Sequence, residues 1–410
     1  MTAPKLRFKE FDGDWTITSF QHLFQFKNGV NASKEQYGSG TKFINVLDII
    51  NNPNGITYES IIGSVQVSGK EIEKNLVQYG DVLFQRSSET REEVGQSNVY
   101  LSEEPVVFGG FVIRGSALVP YDPLFMNGLL KTDKVRDQIT QLSGGSTRFN
   151  IGQDSLNKVS VFLPSKEEQT KIASFLSAVD EKISQLNQKH ALLSQYKQGM
   201  MQKLFSQQIR FKADDGGEFG DWVEKNILDI AFVSIGLVTT MTTNYREHGT
   251  PLIRNSDIKP NKILIDKLIF LDPNFTDSYE NRKFRVNDIV TVHTGDVGVS
   301  SLIPKELEGA IGFATINTRV TNENVSPNYL VRYFNSYKFI SWCVNSSTGD
   351  GRQNLNLKEF NTASIQLPSL AEQTKIANFL SAIDQKIEVV AQQIEQAKVW
   401  KKGLLQQMFV

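Results

Sequence analysis

Two glycine-rich stretches carry side chains able to donate several hydrogen bonds from one short loop. Gly144-Gly145-Ser146-Thr147-Arg148-Phe149-Asn150 is answered by Thr348-Gly349-Asp350-Gly351-Arg352-Gln353-Asn354, and Arg148 and Arg352 lie 204 positions apart. Such a loop can donate to phosphate oxygens and to base edges; the plainer alternative is a helix-to-strand connection with a solvated arginine. Two more polar segments follow apolar runs. Gln85-Arg86-Ser87-Ser88-Glu89-Thr90-Arg91 comes after Gly80-Asp81-Val82-Leu83-Phe84, and Val292-His293-Thr294-Gly295-Asp296 comes after Asn287-Asp288-Ile289-Val290-Thr291. Polar tips beyond buried strands are where rigid scaffolds present recognition groups. Gly29 and Gly236 open a third pair of segments, in which Lys34 or Thr239 could meet a phosphate; these are not Walker loops, and a plain loop is the stronger reading.

Other chemistry is missing its signatures. The four histidines, His22, His190, His248 and His293, show no metal-ligand spacing. There is no Gly-x-Ser-x-Gly elbow, no glycine-rich methyl-donor loop and no Asn/Asp-Pro-Pro-aromatic tetrad. Asp257-Ile258-Lys259 has the form of a nuclease triplet but no Pro-Asp partner precedes it. Asp48 matches Asp257 and Asp81 matches Asp288, yet none has a neighbour that would make a catalytic pair. The expectation is a chain with neither a catalytic centre nor a metal site of its own.

The elements that must position these groups come from a duplication. Of the 18 residues from Leu163 to Asp180, 14 recur at +204, which means a duplicated half rather than a solenoid. Each copy opens Leu-Pro-Ser, with Ser165 and Ser369 followed three residues on by Glu168 and Glu372. That is a capping box, with the glutamate expected to reach back to the serine. A seam of alternating 4 and 3 spacing follows, from Ile172 through Leu176, Val179 and Ile183 to Leu204, and from Ile376 through Leu380, Ile383 and Ile387 to Met408. Each helix should run about 40 residues, roughly 60 Å, and the two should pack together, in a direction the seam leaves open. Before each half, Arg-Phe-Lys precedes an acidic turn and a core-anchoring tryptophan, Trp15 or Trp222. Segments 43–49 and 252–258 read as matched strands, and Asp122-Pro123 and Ser326-Pro327 as helix starts.

The fold class is therefore mixed α/β: two similar globular domains joined by two long helices packed as a coiled coil, with internal pseudo-two-fold duplication. The boundaries are domain 1 at 1–164, a central helix at 165–207, domain 2 at 208–368 and a C-terminal helix at 369–410. A net charge of −1 gives no overall basic field. The single cysteine, Cys343, excludes an internal disulfide and suits a reducing cytoplasm. No secretory signal and no membrane-length apolar run is present.

In this order, the Leu-Pro-Ser…Glu-Gln-x-Lys-Ile-Ala…Phe-Leu…Asp-x-Lys-Ile helices, the Gly-Asp-Val-Leu-Phe strand with its Asn-Asp-Ile-Val counterpart and the glycine-rich loop before each helix resemble the specificity subunit of a type I restriction–modification system, over the whole chain. The resemblance implies two target recognition domains, each reading one half of a split sequence in double-stranded DNA. It implies a non-catalytic chain that recruits two methyltransferase subunits and two restriction subunits. S-adenosylmethionine, ATP and Mg are then expected on those partners and no cofactor on this chain. Arg86, Ser87 and Arg148 are the favoured base readers of the first domain, and His293, Thr294 and Arg352 those of the second. Lys34, Arg91, Thr147, Asn150, Thr239, Gln353 and Asn354 complete the DNA-binding set. Phe175, Met201, Phe205, Phe379, Leu405 and Phe409 lie off the seam, and either dock the methyltransferase subunits or pack on the recognition domains. The rival readings are a helical scaffold without base readout and a type II-like fused restriction enzyme chain.

Overall fold

The structure, a computed structural model, describes residues 3–349 and 351–410. Asp350, quoted above in the second glycine-rich stretch, lies outside the described residues. The chain divides into two compact units, Met1–Gln188 with Gln392–Val410, and Lys189–Ala391. Six helices of seven residues or more occur among the described residues: α1 (Pro123–Leu129), α2 (Asp133–Leu142), α3 (Lys166–Phe205), α4 (Pro327–Phe334), α5 (Tyr337–Asn345) and α6 (Leu370–Met408). The sequence boundaries fall at helix ends, whereas the units divide within α3 and α6, because each part of a long helix packs on a recognition core.

Unit 1 is built on an antiparallel sheet of β1 (Phe24–Asn28), β2 (Val82–Gln85), β3 (Ser97–Val99) and β4 (Val112–Ala117), in the order β1-β4-β2-β3. In unit 2, β5 (Ala231–Ile235), β6 (Ile289–Val292), β7 (Ser300–Leu302) and β8 (Thr315–Val320) repeat it as β5-β8-β6-β7. Both central strands, β2 and β6, are buried along their whole length, which is why they read as short continuous apolar runs. Parallel pairs are added beside each sheet, Phe43–Ile44 with Val107–Phe108, and Leu252–Arg254 with Ile311–Phe313.

The matched segments 43–49 and 252–258 are not continuous strands, and in the second a new strand starts at Ile258. The strands end at Ile44 and Arg254, and helical turns follow at Val46–Asn51 and Asn255–Asp257. The cause is local: Asp48 accepts from the Asn45 N–H at 2.7 Å, and Asp257 from the Arg254 N–H at 2.9 Å. Asp81 and Asp288 likewise accept from the Gln78 and Arg285 N–H groups at 2.9 and 2.8 Å. All four matched carboxylates thus hold turns. Gly29 and Gly236 serve close backbone approach: a Cβ there would lie 2.3 Å from the Gly109 or the Gly312 carbonyl oxygen.

The start of each long helix differs from the expected reciprocal box. Ser165 and Ser369 do accept the N–H of Glu168 and Glu372, at 3.3 and 3.4 Å. The two carboxylates, however, turn to the entry segments. Glu168 takes a fork from Arg7 (2.8 and 2.7 Å) and the Trp15 indole N–H (3.3 Å); Glu372 takes Arg210 (3.0 and 2.7 Å) and Trp222 (3.2 Å). The neighbouring Gln169 and Gln373 accept from the N–H of Asp122 and Ser326 at 3.0 and 2.8 Å, which ties the long helices to the starts of α1 and α4. A charge-assisted fork is stronger than a neutral cap, so the arginine outcompetes the serine N–H. Along the seam, Lys401 pairs with Asp180 in unit 1, and Lys197 with Asp384 in unit 2. Within unit 1, Phe175 and Asp180 of α3 face Trp400 and Lys401 of α6, and Leu176 shares a concavity with Leu405. From Leu176 to Asp180 the facing residue falls from Leu405 to Lys401, so the pieces run antiparallel. The seam residues Ile172, Leu176, Val179, Leu404 and Met408 join the same core as Trp15 and Phe125.

Candidate nucleic-acid interface

In each unit the polar tip and the glycine-rich loop meet. In unit 1, Phe149 and Asn150 pair antiparallel with Ser88 and Ser87. The Ile151 N–H donates to the Arg86 carbonyl at 2.9 Å, and the Arg86 N–H donates to the Phe111 carbonyl at 2.9 Å. The loop is closed by two bonds, Gly144 N–H to Asn150 O (2.9 Å) and Asn150 N–H to Gly144 O (2.8 Å). Arg91 lies over the Phe149 ring at 5.3 Å, a cation–π contact that places a third cation at the junction. Arg86, Arg91, Thr147, Arg148 and Asn150 are exposed and Ser87 is half-buried.

Unit 2 repeats the junction. The Leu355 N–H donates to the His293 carbonyl at 2.9 Å and the Gly295 N–H to the Gln353 carbonyl at 3.0 Å. Thr348 and Asn354 close their loop at 3.0 and 2.9 Å. Gly145 and Gly349 turn the loops at φ of +124° and +125°, in the left-handed region where a side chain is strained. A Cβ on them would approach the Arg148 or Arg352 carbonyl oxygen to 2.1 or 2.4 Å. Arg352 and Gln353 are exposed; His293, Thr294 and Asn354 are half-buried. Thr294 donates to Asn354 at 3.2 Å and its hydroxyl also meets the His293 Nδ1 at 2.8 Å, so part of their capacity is already used. Burial holds the His293 imidazole below its ordinary value, which keeps it neutral at pH 7 and leaves one ring nitrogen an acceptor.

Lys34 and Thr239 are exposed on the connections that follow β1 and β5. Neither takes part in the tip-to-loop pairing. The sequence reading passed over Phe111 and Tyr37, exposed aromatics beside the junction in unit 1. The signal was available in Gly109-Gly110-Phe111, a phenylalanine on a turn of glycines.

The six off-seam apolar residues divide. Phe205 packs on Tyr329 and Tyr333, with ring centroids at 5.8 and 5.6 Å, and Phe409 on Phe125 at 5.2 Å. Both are buried, so they pack on their own recognition cores and offer a partner no surface. Phe175 and Phe379 are half-buried against Phe8 (5.7 Å) and Phe211 (5.6 Å) of the entry segments. Met201 borders a groove of about 770 Å³ with Tyr337, Ile340 and Val344, and Leu405 borders one of about 350 Å³ with Lys131 and Lys134. Among the described residues no cluster of three His, Cys, Asp or Glu could hold a metal ion, and no helix is long and apolar enough to cross a membrane.

A family model described as the type I restriction modification DNA specificity domain matches residues 13–195 and again 220–399, one copy for each tip-and-loop junction. The chain belongs to the type I restriction–modification DNA specificity family. Relatives in this specificity family include the putative type I restriction enzyme MjaX specificity subunit of Methanocaldococcus jannaschii, 24% identical over 98% of this chain and 94% of that one. The EcoKI specificity subunit of Escherichia coli K12 is 23% identical, over 82% and 75%. Among solved structures, a chain of a type I R-M system studied for complex assembly and conformational transition superposes at a TM-score of 0.63, with 16% identity over 96% and 97% of the two chains. The type I S subunit from M. genitalium gives 0.56, with 18% identity over 100% and 99%. These structures share the fold. The duplicated mixed fold and the role in DNA sequence specificity expected from the sequence are those of the family.

Proposed function

We propose that this chain reads a bipartite duplex target, one half-site through the Arg86–Arg148 junction of unit 1 and the other through the His293–Arg352 junction of unit 2. The observation that carries this is one backbone junction built twice with different donors at matched places. The Ile151 N–H to Arg86 bond answers the Leu355 N–H to His293 bond, so arginine stands in one unit where histidine stands in the other. A common frame with changed reading groups is what two different half-sequences require.

The chain acts without a catalytic centre of its own and directs two methyltransferase and two restriction subunits to the site. S-adenosylmethionine, ATP and Mg belong to those partners. They also supply phosphate contacts, which suits a chain with a net charge of −1. The grooves bordered by Met201 and Leu405 are the surfaces offered to the methyltransferase subunits, since Phe205 and Phe409 are enclosed. The complex works in the cytoplasm, where its target DNA is.

The test is a map of methylated adenines across the host genome with and without this chain. Loss of methylation at one split motif on both strands is the expected result. An unchanged map in cells whose methyltransferase is active overturns the reading and leaves a scaffold.

A further inference from the structure

Unit 1 has a feature beside its tip-and-loop junction whose residues unit 2 does not repeat. The start of the strand Tyr37–Ile44 and the turn Gly109-Gly110-Phe111 border a concavity of about 550 Å³, whose wall includes Gln85, Leu47 and Arg148. Its rim is aromatic: Phe111 is 65% exposed and Tyr37 is 47% exposed. Both rings sit on fixed backbone. Tyr37 stands edge-on to the buried Phe43 ring at 5.5 Å. The Phe111 carbonyl is held by the Arg86 N–H at 2.9 Å. The turn before Phe111 is tight, since a Cβ on Gly109 would approach Phe43 to 2.8 Å and one on Gly110 would approach Asn31 to 1.9 Å.

On the wall, Gln85 is only 4% exposed. Its Nε2 donates to the Ser87 carbonyl at 2.9 Å, and its Oε1 has no hydrogen-bond partner among the described residues. A buried acceptor left unmet is unfavourable; this oxygen has almost no solvent-accessible surface, so a donor in the concavity removes the penalty once the Gln85 amide turns outward from the wall. Two aromatic faces at a rim, an amide acceptor behind them and an arginine alongside suit one ligand chemistry. A nucleobase stacks on aromatic rings whatever its sequence and presents edge N–H groups to an amide oxygen.

We propose that this concavity binds a nucleobase, stacked on Phe111 and Tyr37, with Gln85 accepting from its exocyclic amine. Taken from a duplex, the base would be unstacked from its neighbours, and the proposal then rests on the DNA reading above. A free nucleotide is the other source of the same chemistry. Unit 2 does not repeat the two key residues of this site. Register pairs Gln85 with Val112 and Val292 with Thr315, so Val292 stands in place of Gln85 and Ala314 in place of Phe111.

The experiment uses the full chain with its methyltransferase partner and duplexes carrying the mapped motif, in which 2-aminopurine replaces one base at a time. Wild type should brighten the probe at a single position of the half-site read by unit 1 other than the methylated adenine, which the methyltransferase itself takes out of the stack. Phe111→Ala should abolish that signal and weaken binding by about tenfold or more, with discrimination at the other half-site unchanged. Tyr37→Leu serves as a second variant, and thermal midpoints check that both fold. A second arm follows dAMP by saturation-transfer NMR; dAMP binding lost in Phe111→Ala, with no position brightening, supports the site and assigns it to free nucleotide. The proposal is overturned if no position brightens, dAMP does not bind and Phe111→Ala binds DNA within twofold of wild type. Should wild type fail to bind the duplex at all, the DNA reading falls, and the dAMP arm alone decides the concavity.

Discussion

The two units agree at their anchors and part company at their tips. Arg7, Trp15 and Glu168 in unit 1 are matched by Arg210, Trp222 and Glu372 in unit 2, with the same forked geometry. The seam pairs Asp180–Lys401 and Asp384–Lys197 are matched as well. At the tips, Arg86 corresponds to His293, Gln85 to Val292 and Phe111 to Ala314. Even the support differs. The Arg86 N–H bonds directly to the Phe111 carbonyl, whereas Asn255 bridges the His293 N–H (2.9 Å) and the Ala314 carbonyl (3.1 Å). The lesson is that the groups whose partners are fixed within the chain are the same in both units, and the groups that differ are those proposed to meet DNA.

The largest expected effect tests whether the anchors are one device. Glu372 is fully buried and Arg210 keeps one face in water. Removing a carboxylate from such a pair leaves a partly buried cation unpaired, so Glu372→Ala should destabilise unit 2 by about 3 kcal/mol, the lower end for buried pairs. Glu168→Ala should cost unit 1 a similar amount in denaturant titrations. Unequal losses would show that the two anchors are not equivalent.

The next effect sharpens the divergence. Arg86→His and His293→Arg exchange the reading groups while leaving the backbone bonds in place. Each should change preference at one position of one half-site by roughly 1–3 kcal/mol, read from competition with single-base variants. A uniform loss across all sequences would make these residues phosphate contacts instead. Gly145→Ala and Gly349→Ala ask the same of the loops. Both carry a left-handed φ and meet a backbone oxygen, so each should lose on the order of 1–2 kcal/mol, with affinity falling only at its own half-site.

Much of this frame was legible before the fold was seen, for an identifiable reason. The Leu-Pro-Ser and Glu-Gln repeats, the heptad seam and the apolar strands β2 and β6 are local patterns, and local periodicity carries them. The partner of Glu168 was not legible, because Arg7 lies 161 residues away and no local rule prefers it to Ser165. The turns after Ile44 and Arg254 were hidden because Val46, Leu47 and Ile49 suit a strand, and only the Asp48 cap decides for a helix. The tip residues were singled out from position and donor capacity alone, and their pairing with the glycine-rich loops needed the sheet register. Phe111 was missed because an exposed aromatic looks like core in sequence.

The smallest expected effect separates the units by charge. Lys131 of unit 1 is enclosed near Lys401 and Asp180, and donates to Asn127 at 2.9 Å. Burial first, then repulsion from Lys401, lowers its ammonium from 10.5 to about 7, with Asp180 opposing. At the matched place unit 2 has Asn335, which is neutral and bonds to Ser300 and Val331. The folded chain sheds the Lys131 proton as pH rises through about 7, while the unfolded chain keeps it to about 10.5. Unfolded molecules therefore bind more protons in that window, and stability from this group rises with pH across it and is lowest below 7. Lys131 retains some contact with water, which reduces the size of the rise to about 1 kcal/mol. Lys131→Asn should stabilise unit 1 at pH 6 and remove that rise, measured as the difference from wild type in denaturant midpoints from pH 6 to pH 10. A difference that stays flat over this range would show that the lysine remains charged in the folded chain and that the two units do not differ in this respect.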